Sequence, residues 1–170
     1  MTDMGEGVSI NAPDKPSKPC PDDNSHVWRE IEPGSDADSH VDNLDTQINS
    51  LENKPSRQGL RRGYVFEKKA VIDNKEKLPI DKCSKQYKCD ICAKTQEVDI
   101  TGGERVAEAK SRNAKGVKKK SGQSKRLKGI QAQHFDPDKK PLAKIDGELD
   151  DVEESRQIYE RRGFDVEIVR

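Results

Sequence analysis

The chain is poor in the residues that build a large hydrophobic core. Of its 170 residues, 30% are hydrophobic and 4% are aromatic, while 38% are charged. A composition this polar indicates one modest folded domain with a polar tail, because a fully packed globule of this length needs more apolar surface to bury. The scarcity of aromatic residues also leaves no obvious platform on which single-stranded bases could stack.

Long apolar runs are missing as well, and this excludes two kinds of segment. No stretch approaches the roughly 20 apolar residues of a membrane-spanning helix, so we expect no membrane insertion. The N-terminus lacks the basic and apolar regions of a secretory signal peptide. We therefore expect a protein made in a cytoplasm, where a few unpaired cysteines are normal.

The sequence lacks a second C-x-x-C pair, which limits what its four cysteines indicate. Cys83, Cys89 and Cys92 lie close together, and Cys89-x-x-Cys92 is half of a common zinc site. For a fourth ligand the sequence offers Cys20, His26, His40, His134 or a carboxylate. A structural zinc site is one interpretation, and a redox pair or ordinary half-buried cysteines are the alternatives.

A net charge of zero conceals two oppositely charged parts. The first 60 residues hold twelve Asp and Glu against five Lys and Arg, whereas the remaining 110 residues hold 20 against 27. We therefore predict an acidic, mostly disordered arm or delivery segment over residues 1–58 and a folded domain over residues 59–170. A weak helical pattern at residues 41–51 indicates that part of the arm could dock on the domain.

The sequence EVDITGGERVAEAK, at residues 97–110, predicts a β-hairpin. Apolar and polar residues alternate on both sides of two adjacent glycines, Gly102-Gly103, which tolerate the positive φ of a tight turn. Residues two apart on a strand share a face, so Glu108 and Lys110 point the same way and Asp99 can lie opposite them. Two carboxylates and an ammonium at one point suit a metal-dependent phosphodiesterase, because Mg²⁺ prefers oxygen ligands. A solvated hairpin with ordinary alternating charges is the alternative.

These residues resemble the catalytic motif of the PD-(D/E)xK nuclease superfamily, which has the restriction-endonuclease fold. The resemblance implies that Asp99 and Glu108 hold Mg²⁺ or Mn²⁺ with the help of the Ala109 carbonyl, and that Lys110 serves the attacking water. A glutamate on the first core helix often reaches the metal in this superfamily, which makes Glu67 a further candidate. A plain surface position for Glu67 is the alternative.

The elements around the hairpin follow the order of that superfamily. Periodicity and turn residues predict helices and strands, in order, over residues 63–74, 121–134, 141–145, 150–162 and 164–169. We therefore expect an α/β fold with a restriction-endonuclease-like core: a helix, a mixed central sheet and flanking helices. Over residues 59–170 the chain resembles the restriction-endonuclease-fold toxin domains of bacterial polymorphic toxins, although the cysteine-rich insert before Glu97 does not fit that pattern.

Positive charge is concentrated around and after Lys110. Between residues 104 and 130, ten Lys and Arg stand against two Glu. A basic surface beside a carboxylate site suits a polyanionic phosphate substrate, through counterion release and electrostatic steering. A disordered lysine-rich loop around residues 116–122, which only aids solubility, is the alternative. The predicted nucleic-acid contacts, which we call the basic stripe, are Arg112, Lys115, Lys118, Lys119, Lys120, Lys125 and Arg126.

These features predict a Mg²⁺-dependent endonuclease that acts on nucleic acid, with DNA favoured over RNA. The resemblance implies a DNase toxin of a bacterial competition system, made in the bacterial cytoplasm and delivered by a secretion system into the target-cell cytoplasm. It also implies a cognate immunity protein that protects the producing cell. The alternative is a non-catalytic, zinc-stabilised nucleic-acid-binding or adaptor protein, which would have no need for Asp99, Glu108 and Lys110 on one face.

Overall fold

The computed structural model describes residues 19–22, 25–77 and 79–170. Its elements in chain order are β1 (Trp28–Glu32), α1 (Ala37–Ser50), a 3₁₀ turn (Pro55–Arg57), α2 (Gln58–Lys77), β2 (Lys82–Cys89), β3 (Thr95–Gly102), β4 (Arg105–Lys110), α3 (Ala114–Lys119), α4 (Ser121–His134), β5 (Leu142–Asp146), α5 (Val152–Arg161) and β6 (Asp165–Val169). The fold is therefore α/β.

Among the described residues, six strands form one mixed sheet in their chain order, with β1 and β6 at its edges. From β1 to β4, each strand runs antiparallel to the next, while β5 runs parallel to β4 and β6 parallel to β5. Antiparallel neighbours can be joined by tight turns, whereas parallel neighbours need crossover connections, which here contain α3 and α4 and then α5. The predicted α/β class with a mixed central sheet and flanking helices is confirmed.

Two hydrophobic clusters cover the two faces of the sheet. On one face, α2 contributes Phe66 and Val71, which pack with Ile100 and Leu142. Ala143, the next residue on β5, belongs to the opposite cluster, as the two-residue period of a strand requires. The opposite cluster, covered by α3, α4 and α5, includes Trp28, Tyr87, Val98, Val106, Val117, Leu127, Ile130, Ile158 and Phe164.

Strand β2 changes the face that its side chains present at Ser84, whose φ is 58°. Cys83 packs in the cluster beside α2, whereas Tyr87 and Cys89 pack in the opposite cluster. Positions four or six apart on a regular strand share a face, so the left-handed residue accounts for the switch. As a consequence, the thiols of Cys83 and Cys89 lie on opposite sides of the sheet.

The hairpin predicted at residues 97–110 is present as β3 and β4, but its turn is one residue later than predicted. Gly103 and Glu104, with φ of 60° and 64°, occupy the turn. Gly102 lies at the end of β3, where an added Cβ would sit 2.1 Å from the carbonyl oxygen of Pro79. One glycine is therefore required by positive φ and the other by close approach of a neighbouring backbone.

Strand β1 and helix α1 lie within residues 1–58, where a largely disordered arm was expected, and this expectation is corrected from Trp28 onward. Strand β1 pairs with β2 through Trp28↔Cys89. Helix α1 packs against α2 and buries Leu44 and Ile48, four residues apart. The weak helical pattern at residues 41–51 belongs to this helix, and a few apolar residues at helical spacing are enough to dock it. Residues 1–18 of the expected arm lie outside the described residues.

The remaining predicted elements differ from the observed ones mainly at their ends. The helix predicted at residues 121–134 has those bounds in the structure, while the helix predicted at 63–74 extends over Gln58–Lys77. Residues 116–122, for which a loop was the alternative, contribute to α3 and the start of α4. Among the described residues, no helix combines the length and the apolarity needed to cross a bilayer.

Candidate active site and a cysteine–histidine cluster

An open pocket of about 220 Å³ lies where the end of β4 meets the first half of α2. Glu67, Ala109 and Lys110 are among its lining residues, and Arg112 lies at the same surface. Helix α2 contributes Gly59 and Gly63 here, and the lack of side chains at these positions leaves room beside β4. Three residues predicted for the catalytic and metal site therefore share one pocket.

Asp99 lies behind this pocket and is bound from two sides. Its Oδ1 is 3.1 Å from Nζ of Lys110, and its Oδ2 accepts the backbone N–H of Ala109 at 2.9 Å. Burial raises the pKa of Asp99 to about 7, since Lys110 lowers it only in part and the carboxylates of Glu67 and Glu108 raise it further. Burial would lower the pKa of Lys110, but the charge of Asp99 and of Glu67 raises it above its usual value.

Glu67 is oriented by a residue of the N-terminal helix. Its Oε2 lies 2.6 Å from Nε2 of His40 on α1, and both side chains are largely buried. A carboxylate only accepts hydrogen bonds, so His40 is the donor when Glu67 is ionised. The hydrogen bond therefore fixes the side chain of Glu67 at the pocket wall. The negative charge of Glu67 raises the pKa of both Asp99 and Lys110.

Glu108 is buried at 4% exposure and is directed toward α5. Its carboxylate accepts a hydrogen bond from the hydroxyl of Tyr159, and its Oε1 lies 3.5 Å from Nη1 of Arg112. Burial and the neighbouring charge of Glu108 raise the pKa of Tyr159 far above its usual value, so the phenol stays a proton donor. The structure thus brings Asp99, Lys110 and Glu67 together and turns Glu108 toward Tyr159.

The basic stripe is distributed over the segment after β4 and over helices α3 and α4. Arg112 lies at the pocket and Arg126 donates to the side-chain oxygen of Gln96 at 2.9 Å. Lys118 pairs with Glu154 at 2.8 Å through two side chains that are both more than half exposed. The other members, Lys115, Lys119, Lys120 and Lys125, are exposed. Apart from Arg112, the stripe therefore lies on helices α3 and α4, which cover the face of the sheet opposite to α2.

A second constellation of polar ligands lies beside the start of β1. The ligand atoms of Cys20, His26, Cys89 and Cys92 all lie within 4.8 Å of one another, and the cluster could hold a metal ion such as structural zinc. Two sulfur atoms, those of Cys20 and Cys89, are 3.7 Å apart, and Nδ1 of His26 is 3.4 Å from the sulfur of Cys92. Within the described part of the chain, the carboxylates around Asp99 do not form a group this close.

Cys83 lies apart from this cluster, although the sequence suggested it as a zinc ligand with Cys89 and Cys92. Its side chain is fully buried in the cluster beside α2, because the backbone at Ser84 turns it to that face. Burial raises the pKa of its thiol to about 12, and the negative charge of Glu67 is the second cause of this increase. Cys20 and His26, and not Cys83, lie close to Cys89 and Cys92.

Two contacts in these sites have no signal in the sequence. His40 and Glu67 are 27 residues apart in the chain, and Glu108 and Tyr159 are 51 apart, so neither pair belongs to a local motif. Cys20 and His26 were among the possible fourth ligands, but nothing in their spacing indicates that both would reach the C-x-x-C turn. No family model, no curated protein and no solved structure matches this chain.

Proposed function

We propose that this protein is a metal-dependent nuclease that hydrolyses phosphodiester bonds at the pocket between α2 and β4. The observation that carries the proposal is the convergence at this pocket. The ammonium of Lys110 lies 3.1 Å from the buried carboxylate of Asp99, and the negative charge of Glu67 raises the pKa of both groups. Carboxylates and a lysine at the end of a hairpin are the donor set that phosphodiester hydrolysis with a hard metal ion requires.

The residues present fit a hard divalent cation in their chemistry. Asp99, Glu108, Glu67 and the Ala109 carbonyl offer oxygen only, and burial leaves the Asp99 carboxylate poorly solvated, which a cation would offset. A bound Mg²⁺ or Mn²⁺ would supply Lewis-acid stabilisation of the phosphate and lower the pKa of a coordinated water. Glu108 fits least well, since its carboxylate is bonded to Tyr159.

The chain's own cations have separate roles in this proposal. Lys110 holds a positive charge beside the reacting phosphate and orients the attacking water, because its ammonium is anchored on Asp99. Arg112, next to the pocket, neutralises a neighbouring phosphate of the backbone. The remaining members of the basic stripe bind phosphates farther along the strand and carry no sequence information.

We extend the proposal to the biological setting that the sequence resemblance implies. The order of α2, three antiparallel strands, a crossover and a parallel strand β5 is compatible with a restriction-endonuclease-like core. The nuclease is then a DNase toxin, delivered from the producing bacterium into the cytoplasm of a competitor, and an immunity protein neutralises it in the producer. Growth arrest on expression in bacteria, with growth restored by Asp99→Asn, supports this setting, and normal growth with an active enzyme argues against it.

A specific observation also favours a second function. The cluster of Cys20, His26, Cys89 and Cys92 suits a metal-stabilised binding protein without catalysis, in which the basic stripe holds nucleic acid and the pocket is inert. The two functions differ in one measurable respect, because only the nuclease converts its substrate.

The test is incubation of the full chain with plasmid DNA, and in parallel with RNA, with Mg²⁺, with Mn²⁺ and without either. Omission is preferable to a chelator, because a chelator would also remove a metal held by the cysteine cluster. We expect cleavage only with the added cation, and its loss in Asp99→Asn. Binding of both nucleic acids without cleavage under any of these conditions would favour the binding protein.

A further inference from the structure

We propose that Cys20, His26, Cys89 and Cys92 bind one structural Zn²⁺, which fastens the N-terminal segment and edge strand β1 to the sheet. The four ligands come from two places in the chain. Cys20 and His26 precede β1, and Cys89 and Cys92 flank the turn between β2 and β3. This proposal is independent of the nuclease activity.

Two of the separations in the cluster match a tetrahedral zinc site, and all four ligand atoms lie within 4.8 Å of one another. Zinc bound to sulfur at about 2.3 Å and to nitrogen at about 2.0–2.1 Å implies edges of about 3.8 Å between sulfurs and about 3.6 Å between sulfur and nitrogen. The observed separations are 3.7 Å for Cys20 and Cys89 and 3.4 Å for Cys92 and His26. A disulfide would instead bring two sulfurs to about 2.05 Å.

The backbone around Cys89 is arranged to receive a thiolate. The N–H groups of Val27 and Ile91 each donate to its sulfur at 3.4 Å. The turn closes when Ala93, at a φ of 64°, donates its N–H to the carbonyl of Cys89 at 3.0 Å. A non-glycine residue in the left-handed region is uncommon, and here it completes the loop that holds the C-x-x-C pair in position.

Four protein ligands fill a tetrahedral shell, which is the arrangement of structural rather than catalytic zinc. Three cysteines and one histidine are also a common ligand set for such sites. The site lies where β1 begins, since Trp28 pairs with Cys89 and the ring of His26 packs at 4.8 Å from that of Trp28. In a chain with few hydrophobic residues, a metal link between two segments supplies stability that packing alone supplies weakly.

The first test measures zinc in the full chain, purified under reducing conditions without chelator. We expect one zinc per chain and a lower thermal midpoint after chelation, with the midpoint restored by added Zn²⁺. Replacement by Co²⁺ should give the visible absorption of a tetrahedral thiolate site. A wild-type chain that takes up neither metal, or that carries a Cys20–Cys89 disulfide in mass spectrometry without reductant, would overturn the proposal.

Variants then test the ligand set. Cys20→Ser and His26→Ala should lose zinc, whereas His26→Cys should retain it, because a four-cysteine site is equally suitable for zinc. Cys83→Ala is the matched control, since Cys83 is outside the cluster, and it should retain one zinc. Equal zinc loss in Cys83→Ala, or full zinc in both Cys20→Ser and His26→Ala, would contradict the assignment. Nuclease activity plays no part in these readouts, so failure of one proposal is distinguishable from failure of the other.

Discussion

Nε2 of His40 lies 2.6 Å from Oε2 of Glu67, and this contact joins helix α1 to the wall of the candidate active site. The two side chains are 9% and 13% exposed, so the hydrogen bond is shielded from water. When a histidine donates a hydrogen bond to a metal-binding carboxylate, it fixes the rotamer of the carboxylate side chain and the direction of the oxygen lone pairs that remain for the metal. Helix α1, which composition alone assigns to a disordered arm, therefore contributes to the site.

The first prediction is that His40→Ala weakens both Mn²⁺ binding and cleavage by about 10–100-fold, the usual effect of losing an outer partner of a ligand. Titration calorimetry and a plasmid assay measure the two effects. Lys68→Ala is the matched control, because it removes another contact between α1 and α2, the pair with Asp45 at 2.6 Å, away from the pocket. Equal losses in both variants would mean that His40 acts only through helix docking.

The second prediction separates Lys110 from the metal ligands. Lys110→Ala should lower the cleavage rate by about 10²–10³-fold, the effect of removing one preorganised group that stabilises developing charge. Mn²⁺ affinity should stay within a few-fold of wild type, since an ammonium does not bind a cation. Lys140→Ala, which changes an exposed lysine outside the basic stripe and the pocket, is the control and should remain active. Loss of Mn²⁺ binding together with unfolding would assign Lys110 a structural role.

The third prediction concerns the basic stripe. Replacing Lys118, Lys119 and Lys120 with Ala in the Asp99→Asn background, for which we expect no cleavage, should weaken DNA binding similarly for unrelated sequences. The slope of log K against log salt should flatten by about 0.9 for each DNA phosphate that the variant no longer neutralises.

The control for the stripe carries the same change of charge elsewhere on the surface. Lys54, Lys94 and Lys140 are exposed and lie outside the stripe, so their triple replacement should leave the salt slope close to wild type. An equal flattening in both triple variants would show that net charge, and not the stripe, governs binding.

The fourth prediction tests whether α1 is a stable part of the fold. Asp36 caps the helix by accepting the N–H of Ser39 at 2.8 Å, so Asp36→Ala should lower the denaturant midpoint of unfolding. The hydrogen bonds from Ser39 lower the pKa of Asp36 below its usual value. The contribution is therefore present above the unfolded-state pKa and fades as the pH falls through the folded-state pKa. Denaturant unfolding at pH 7 and at pH 3 measures both effects, and no difference at pH 7 would mean that α1 does not unfold with the domain.

The sequence is most informative where the signal is local. Alternating residues and a glycine pair predict the hairpin, and helical spacing predicts α4 to the residue. The sequence does not distinguish the roles of Gly102 and Gly103. Gly102 is required because the backbone of Pro79, which is distant in the chain, approaches it closely.

What the sequence could not supply depends on contacts between distant segments. Because Ser84 has a left-handed backbone conformation, Cys83 lies on one face of the sheet and Cys89 on the other. The spacing of residues in the sequence does not predict this change of face. The partnership of Glu108 with Tyr159 likewise depends on how α5 packs across the sheet. The sequence indicated α1 only weakly, at residues 41–51, since its two buried apolar residues, Leu44 and Ile48, are a small fraction of an acidic segment.

Plasmid nicking by wild type and by Asp99→Asn, side by side in Mg²⁺, tests whether the pocket beside Asp99 and Lys110 hydrolyses phosphodiester bonds. Asn has nearly the same shape as Asp but loses the charge that anchors Lys110, while Asp81→Asn makes the same change at an exposed position and serves as the control. We predict that wild type and Asp81→Asn convert supercoiled plasmid only when Mg²⁺ or Mn²⁺ is present, and that folded Asp99→Asn leaves it supercoiled. Cleavage by Asp99→Asn at the wild-type rate, or cleavage by wild type without an added cation, would contradict the account.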